Sequence, residues 1–261
     1  MGRYNYLSLL RELAVTDFKL KYQGSVAGYL WSLMKPLAIF GVLYLVFTVF
    51  VRIGSNIPHY PIYLLIGIVL WTYLADSTTS ALRSVVDKGD LIRKVYFPRV
   101  IILLASSISA LITLMLNLMV IFVFLFALGI GVRLDWLWFF VLILELYLLS
   151  LGLSFFLAAL YAKYRDFGHI WEVFLQLFFY ATPIIYPLTI VPHRFQSLVL
   201  LSPASQIIQD SRKVLLGTGV LSSADLLHAP LFLFPYLIPL LILPLGYWYF
   251  EKSASRFAEE V

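Results

Sequence analysis

The sequence contains no cysteine among its 261 residues. Disulfide bonds, iron–sulfur ligation and thiol catalysis are therefore excluded. The sequence also lacks the G-x-x-x-x-G-K-[S/T] phosphate loop and the G-x-S-x-G nucleophile motif. Its four histidines are scattered, without the H-x-x-x-H spacing of a zinc site. We therefore expect no catalytic residues, no metal site and no cofactor within this chain.

Charge is scarce as well. Only 13% of the residues are charged and 62% are hydrophobic, whereas soluble domains are about half apolar and a quarter charged. Several apolar runs approach or exceed the roughly 18 residues that indicate a transmembrane helix, and a β-barrel would show shorter, alternating segments. The predicted fold class is an all-α, polytopic membrane protein. The net charge of +5 is modest, so we expect no nucleic-acid partner.

The apolar runs predict six transmembrane helices, which together form one domain over residues 29–252. The predicted spans are 29–51, 60–82, 99–128, 136–162, 169–187 and 229–250. Residues 1–28 are too charged to cross, and their periodicity predicts an amphipathic helix at the membrane interface. Four prolines in the last span predict a kink there. Residues 253–261 form a tail.

The distribution of lysine and arginine predicts the orientation. With the N-terminus placed in the cytoplasm, the cytoplasmic segments carry thirteen of these residues and the outer segments carry five. Cytoplasmic loops of membrane proteins carry the excess of such cations. Both termini are therefore expected in the cytoplasm.

A compact charged block, 81–100, separates spans two and three. It contains five cations and two anions, and apolar residues are interspersed among them: Val85, Val86, Leu91, Ile92 and Val95. A short helix of this kind, between Gly89 and Pro98, can dock on a soluble partner through apolar contacts while its charges set the orientation. The alternative is a plain cytoplasmic turn, which explains the cations but neither the apolar residues nor the length.

Few ionisable or amide residues lie inside the predicted spans: Lys35, Asp76, Asn117, Glu145 and Glu172. Such residues are functional candidates, but snorkelling or ion pairing near the cytoplasmic membrane end explains Lys35, Asp76 and Glu172. Glu145 lies deeper. A hydrogen bond across helices is the favoured interpretation of it, and a proton-transport role is the alternative.

Two helical stripes of aromatic residues are a further candidate. Phe40, Tyr44 and Phe47 share one face of span one, and Trp171, Phe174 and Phe178 share one face of span five. Such stripes commonly form lipid contacts or helix packing. They are also suited to a conduit wall, because aromatic rings hold the apolar C–H faces of sugars loosely. The sequence alone leaves both interpretations open.

The outer connection 188–228 is unusually rich in leucine and isoleucine for a solvated loop. Its apolar residues recur with helical spacing, and Gly217 follows them as a stop signal. We expect short helices that lie at, or dip into, the outer membrane face.

Four stretches of the chain resemble a known family. They are KYQGSVAGYLWSLMKPL (21–37), DLIRKVYFPR (90–99), AKYRDFGHIWEVFLQLFFYATPIIYPLTIVP (162–192) and LSPASQIIQDSRKVLLG (201–217). They look like the membrane subunits of bacterial ABC-2-type exporters, in particular the permeases for O-antigen, capsular polysaccharide and teichoic acid. The resemblance covers nearly the whole chain. Gly24 and Gly28 form a G-x-x-x-G motif, which is typical of closely packed helices. In this respect the chain departs from the family, whose members often carry another residue at the position of Gly24.

The resemblance implies an assembly in the bacterial inner membrane. It implies a homodimer that binds two copies of a separate ATPase, which holds ATP and Mg²⁺, and a substrate that is a lipid-linked polysaccharide. Coupling to the ATPase would fall on Asp87, Lys88, Asp90, Leu91, Arg93, Lys94, Val95 and Tyr96. The six aromatic residues of spans one and five would line the conduit. An outer gate would include Pro192, Ile207, Ile208 and Leu215.

Two other hypotheses remain open. An ion- or proton-coupled carrier would depend on Glu145 and Asp76 and would work without an ATPase. A membrane enzyme acting on lipid-linked sugars would need carboxylates clustered near one interface, and the sequence shows no such cluster.

Overall fold

A computed structural model describes residues 6–22, 28, 30–52, 59–94, 97–217 and 219–254. Every regular element in these ranges is helical, which confirms the all-α fold class. Five helices are long and apolar enough to cross a membrane. They are Leu30–Phe50, Tyr60–Asp87, Val100–Ala127, Trp136–Lys163 and Leu231–Ala254.

The helices are numbered in chain order. They are α1 (Tyr6–Tyr22), α2 (Leu30–Leu45), α3 (Tyr60–Asp87), α4 (Gly89–Lys94), α5 (Val100–Ala127), α6 (Trp136–Lys163), α7 (Phe167–Ala181), α8 (His193–Leu200), α9 (Pro203–Leu216), α10 (Ser223–Leu226) and α11 (Phe234–Ala254). A π-helical turn, Val46–Phe50, extends α2, and 3₁₀ turns lie at Leu188–Ile190 and Leu231–Leu233.

The predicted fifth span, 169–187, corresponds to α7, which has only 15 residues. A helix of that length is about 22 Å long. This is shorter than the hydrocarbon core of a bilayer, which is about 30 Å thick and needs roughly 20 helical residues. It ends because Thr182 precedes Pro183 and is held in an extended conformation. The count of six spans therefore stays a prediction.

Helix α3 is the centre of the bundle and packs against α2, α5, α6, α7 and α9. Its run Ile62–Leu70 is buried residue after residue, because this segment is apolar on every side and can be covered on every side. Helix α2 is its opposite, since only Ser32 and Pro36 are buried along its length. The main apolar core consequently lies around α3.

Helices α6 and α11 approach each other closely at two glycines. A Cβ atom on Gly152 would come within 2.8 Å of the backbone nitrogen of Leu243, and one on Gly246 would collide with the carbonyl oxygen of Gly152. Small residues let membrane helices approach backbone to backbone. Helix α11 runs continuously through Pro239 and Pro244.

Helix α1 packs along α5. Ala14 is buried, and Leu10 and Leu13 pack on a small cluster that includes Phe97 and Ile101. Leu7 shares the helical spacing of Leu10 and Ala14 and would lie on the same face of an amphipathic helix, but it is 78% exposed. The packed face of α1 is therefore narrower than predicted, and the interfacial position of this helix stays a prediction.

Candidate functional site

The charged block folds as the end of α3 followed by the short helix α4. Leu91 and Ile92 are half-buried and pack on the cluster that anchors α1. The Lys88 Nζ donates to Oδ2 of Asp17 on α1 at 2.5 Å, and both side chains are largely withdrawn from solvent. The block is thus fastened to α1 by one ion pair and one apolar cluster.

The outward surface of the block is charged. Asp87, Asp90, Arg93 and Lys94 are exposed, while Val85 is fully buried in the core. The prediction that Val85 offers a contact to a partner is therefore wrong, because its position on α3 faces inward. Val95 and Tyr96 lie outside the described residues. Charges of both signs around Leu91 are what this surface presents.

The aromatic stripe of α2 packs on its own chain. Phe40 stacks on Tyr44 with ring centroids 5.7 Å apart and meets Phe124 of α5 edge to face at 6.4 Å. The three residues of the stripe, Phe40, Tyr44 and Phe47, are half-buried against the main core. Much of this stripe is helix packing.

The stripe of α7 is arranged differently. Trp171, Phe174 and Phe178 stack ring on ring, with centroids 5.1 and 4.1 Å apart. Phe174 is 41% exposed and Phe178 is 38% exposed. Trp171 is fixed at one edge, because its Nε1 donates to Oγ1 of Thr78 on α3 at 3.0 Å. The result is an aromatic ladder that presents its rings outward.

The predicted outer segment contains α8, α9 and α10. Pro192 is exposed and precedes the first residue of α8. Ile207, Ile208 and Leu215 are fully buried in the main core, where α9 packs on α3 and α6. These three residues hold α9 in place rather than border an opening in this chain. Whether α9 acts as a gate stays a prediction.

Arg212 on α9 is the largest completely buried side chain among the described residues. Its Nε donates to the Tyr63 carbonyl at 2.9 Å, Nη1 to the Pro183 carbonyl at 2.6 Å and Nη2 to the Ile184 carbonyl at 2.6 Å. The guanidinium lies over the Tyr63 ring, 3.6 Å from its centroid. A buried charge is tolerable only when its donors are satisfied, and here backbone carbonyls satisfy them.

Arg212 thereby joins three elements: α9, the first turn of α3, and the turn that follows α7. The contact is close enough that a Cβ atom on Gly67 would collide with Nη2 of Arg212. The orientation argument from sequence counts Arg212 as an outer cation, so the sequence analysis missed its role. Helical spacing on α9 could have revealed it, since Ile208, Arg212 and Leu215 fall on one face.

A second buried polar cluster fixes the far side of α9. The carboxylate of Asp210 accepts hydrogen bonds from the backbone and hydroxyl of Ser223 at 2.7 Å each, from the Tyr236 hydroxyl at 2.7 Å and from Nε2 of Gln206 at 2.9 Å. These bonds join α9 to α10 and α11. Glu145 of α6 is 9% exposed and faces Gln206 and Asp210.

Helix α10 begins with a capping box formed by Ser222 and Asp225. The backbone and hydroxyl of Ser222 both donate to Asp225, at 2.7 and 2.8 Å, and Lys213 lies 3.6 Å from the same oxygen. The Ser222 hydrogen bonds lower the pKa of the Asp225 carboxyl, and Lys213 adds to that effect. The end of α9 is thus tied to α10 by a charged contact.

The remaining polar residues of the predicted spans all have partners, and for Lys35, Asp76 and Glu172 these partners form ion pairs. Lys35 of α2 contacts Asp76 of α3 at 2.7 Å, and Arg83 of α3 contacts Glu172 of α7 at 3.0 Å. Asn117 of α5 donates to the Ser32 carbonyl of α2 at 3.2 Å. No group of three or more histidine or acidic residues suited to a metal ion occurs among the described residues.

Comparison with known proteins gives concordant matches. Residues 8–216 match the family described as ABC-2 type transporter. Three curated relatives are named O-antigen export system permease protein RfbA. The one from Myxococcus xanthus is 30% identical over 198 residues, 76% of this chain and 75% of the relative. Two from Klebsiella pneumoniae are 29% and 30% identical, over 98% of this chain and 97% of each relative.

Proposed function

Because the chain belongs to the ABC-2 type transporter family, we propose that it is the permease subunit of an ATP-driven exporter that carries a polysaccharide such as O-antigen across the inner membrane. The observation that carries the proposal is end-to-end similarity to permeases named for O-antigen export. Capsular polysaccharide or teichoic acid export by the same mechanism is the alternative. The substrate is expected to be lipid-linked.

In this proposal the chain performs no chemistry. A separate ATPase, in two copies, binds ATP and Mg²⁺ and supplies the energy, and two copies of the present chain form the pathway. Both termini lie in the cytoplasm. The cations of the N-terminal segment and of the charged block support this orientation, as do Lys163 and Arg165 at the end of α6 and Lys252 and Arg256 at the end of the chain.

The charged block is the proposed docking element for the ATPase. Its ion pair with α1 and its packing under Leu91 and Ile92 hold it in one orientation relative to the bundle. Because it continues from α3, a displacement of the block would be transmitted along the central helix. That helix contacts α9 and the end of α7 through Arg212.

The ladder of α7 is the better supported part of the proposed conduit wall, because its rings are exposed and already stacked in register. Phe40, Tyr44 and Phe47 of α2 would contribute through their exposed edges. At the outer end, the α8–α10 segment would act as the gate.

Co-expression with a candidate partner ATPase tests the proposal. Leu91→Asp should abolish co-purification with the ATPase and reduce polymer export at least tenfold. The substitution places a carboxylate where the half-buried Leu91 side chain makes apolar contacts. Leu91→Ala is the matched control, since it removes packing without adding charge, and should keep most of the export. Wild-type co-purification and export by Leu91→Asp would contradict the docking role. Saturable ATP hydrolysis by the purified chain alone would contradict the assignment of ATP hydrolysis to a separate subunit.

A proton-coupled carrier is the second candidate, and Glu145 is the observation that favours it. This carboxyl group is buried between α6 and α9, and its Oε1 has no hydrogen-bond partner in the part of the chain that the structure describes. Glu145→Gln keeps the shape and loses the proton site. Export should remain within about twofold of wild type, whereas complete loss in a stably folded variant would favour the carrier.

A further inference from the structure

Two buried oxygen atoms lie between α6 and α9 with no hydrogen-bond partner in the part of the chain that the structure describes. They are Oε1 of Glu145 on α6 and Oε1 of Gln206 on α9. The two side chains face each other, and they are 9% and 0% exposed. Because a buried polar atom without a partner is costly, this contact requires a hydrogen-bond donor.

Asp210, about one turn further along α9 than Gln206, is the ionised carboxylate of this cluster. Its Oδ1 accepts from the Ser223 backbone at 2.7 Å. Its Oδ2 accepts from the hydroxyls of Ser223 and Tyr236 at 2.7 Å each and from Nε2 of Gln206 at 2.9 Å. Four donors directed at one carboxyl group stabilise its charged form, and a proton on Asp210 would compete with them.

The contact with Asp210 fixes the orientation of the Gln206 amide. Its nitrogen must lie towards Asp210, because an amide oxygen has no hydrogen to donate to a carboxylate. The amide oxygen is then directed away from Asp210 and can only accept a hydrogen bond. Glu145 can supply the donor that this oxygen requires, provided that its carboxyl group carries a proton.

The charged groups around Glu145 agree with a neutral carboxyl group. Asp210 of α9 and Tyr236 of α11 are the titratable groups that face it. The cations of α9 are engaged elsewhere, Arg212 with backbone carbonyls after α7 and Lys213 with a carboxylate of α10. A second carboxylate beside Asp210 would therefore meet a like charge in an apolar surrounding, which is costly.

The charged residues of the other helices that pack on α6 lie away from Glu145. Helix α5 has none between Val100 and Ala127. On α3, Tyr73 bonds to Ser150, about 8 Å further along α6 than Glu145, and the charged residues of α3, from Asp76 onwards, lie further in that direction. Those of α7 and α11 lie at the same end, in the first two turns of α7 and the last turn of α11. Asp210 is thus the charge that a carboxylate at position 145 would meet.

We propose that the Glu145 carboxyl group holds a proton and donates it in a hydrogen bond to the side-chain oxygen of Gln206, which positions α9 on α6. One proton then serves both unpartnered oxygens, because Oε1 of Glu145 becomes the donor and Oε1 of Gln206 accepts from it. Arg212 and Asp210 attach α9 to α3, α10 and α11, and this bond adds a polar attachment to α6. The inference concerns the folded chain alone and does not depend on the export function.

Infrared spectroscopy of the full chain tests the proposal, because a protonated carboxyl group has a C=O stretching band above those of carboxylates and amides. The purified protein is measured at neutral pH in a maltoside detergent, which has no carbonyl group of its own. We expect such a band in the wild type and its loss in Glu145→Gln. Glu12→Gln, which removes an exposed carboxylate of α1, should keep the band.

Substitution of the acceptor tests the hydrogen bond itself. Gln206→Met keeps the length of the side chain and removes the accepting oxygen. The band should remain in this variant but move to the frequency of a carboxyl group without a hydrogen bond. An unmoved band would show that Gln206 is not the acceptor.

Hydrogen exchange measures whether the contact positions α9. Glu145→Met keeps the length of the side chain but cannot donate, so exchange of the α9 amides should rise about fivefold, the effect of one lost hydrogen bond. Glu145→Gln should restore wild-type exchange, because its amide nitrogen can donate to Gln206. The amides of α5 serve as the internal reference and should not change.

Three results would overturn the proposal. Absence of the band from the wild type would mean that Glu145 is ionised. Persistence of the band in Glu145→Gln, with its loss in Asp210→Asn, would place the proton on Asp210. Equal exchange of α9 in Glu145→Met and Glu145→Gln would show that the proton does not position this helix. If Glu145→Met does not fold, the infrared comparison of wild type with Glu145→Gln still decides where the proton lies.

Discussion

Helices α2 and α7 carry the same kind of aromatic stripe, yet the fold uses the two stripes differently. The rings of α2 are half-buried against the core of their own chain and make an edge contact with α5. The outer two rings of α7 are exposed and stack mainly on one another. Equal spacing in the sequence therefore leads to packing in one helix and to a presented surface in the other.

The difference arises from the attachments of each helix. Helix α7 touches α3 along the narrow row of Trp171, Leu175 and Phe179, and polar contacts fix both of its ends. Arg83 holds the second turn of α7 through Glu172, and Arg212 holds the turn that follows the last residue of α7. Because these contacts position the helix, its remaining faces need not be buried. Helix α2 has one ion pair, Lys35 with Asp76, and a hydrogen bond from Asn117 to its Ser32 carbonyl, both in its first half. The rest of the helix depends on ring packing.

The largest effect is expected from Arg212→Ala. It removes the guanidinium donors from the buried carbonyl groups of Tyr63, Pro183 and Ile184. Destabilisation of about 3 kcal/mol or more should follow, with increased protease sensitivity at the end of α7 and little change at α2. Arg212→Lys should be intermediate, because an ammonium group cannot reach three carbonyls in a plane. Thermal unfolding in detergent and limited proteolysis measure both effects, and a near-wild-type melting temperature for Arg212→Ala would show that α7 is held by other means.

The direct test of the comparison is a pair of matched substitutions. Phe40→Ala should cost about 2 kcal/mol, less than the 3–5 kcal/mol typical of a fully buried phenylalanine because the ring is half-buried. Phe174→Ala should cost less than about 1 kcal/mol and yet reduce polymer export severalfold. Thermal unfolding and polymer export, measured on both variants, distinguish a packing role from a surface role for each stripe. Equal destabilisation would mean that the two stripes serve the same packing role.

A smaller effect is expected from Thr78→Val, which removes the acceptor for the Trp171 indole without changing the size of the side chain. The loss of a single hydrogen bond should cost about 1 kcal/mol and should loosen the first ring of the ladder. Trp171 fluorescence, isolated by comparison with Trp171→Phe, should become more accessible to a soluble quencher. Unchanged accessibility would show that stacking on Phe174 alone orients the indole.

The smallest effect concerns acid. The pKa of Asp225 is lowered in the folded protein by Ser222, so its contribution to stability is present above its ordinary pKa and is lost as the pH falls through the lower, folded value. Acid should therefore loosen α10 and the end of α9 below about pH 4, and Asp225→Asn should remove that step. The contribution should be below about 1 kcal/mol, because the side chain is 42% exposed. Hydrogen exchange at α10, with α2 as the internal reference, would measure it, and identical acid profiles for the two proteins would exclude Asp225 as the cause.

Much of the fold follows from local pattern. Apolar runs of sufficient length predict the crossing helices, and α3, α5 and α6 begin and end within a few residues of the predicted spans except that α3 continues to Asp87. Polar residues near membrane ends predict the ion pairs of Lys35 and Glu172, because a charge in an apolar surrounding needs a partner. The family resemblance was equally legible in the sequence, since the motifs that carry it are contiguous.

The sequence by itself determined the helical class, the charged block and the presence of two aromatic stripes, because each depends on residues close together in the chain. Only the tertiary structure decided which stripe is packed and which is presented, that Val85 is buried, and that Arg212 is the joint between α9, α3 and the end of α7. Those properties depend on residues as many as 149 positions apart, and no periodicity along one helix reports what another helix places against it.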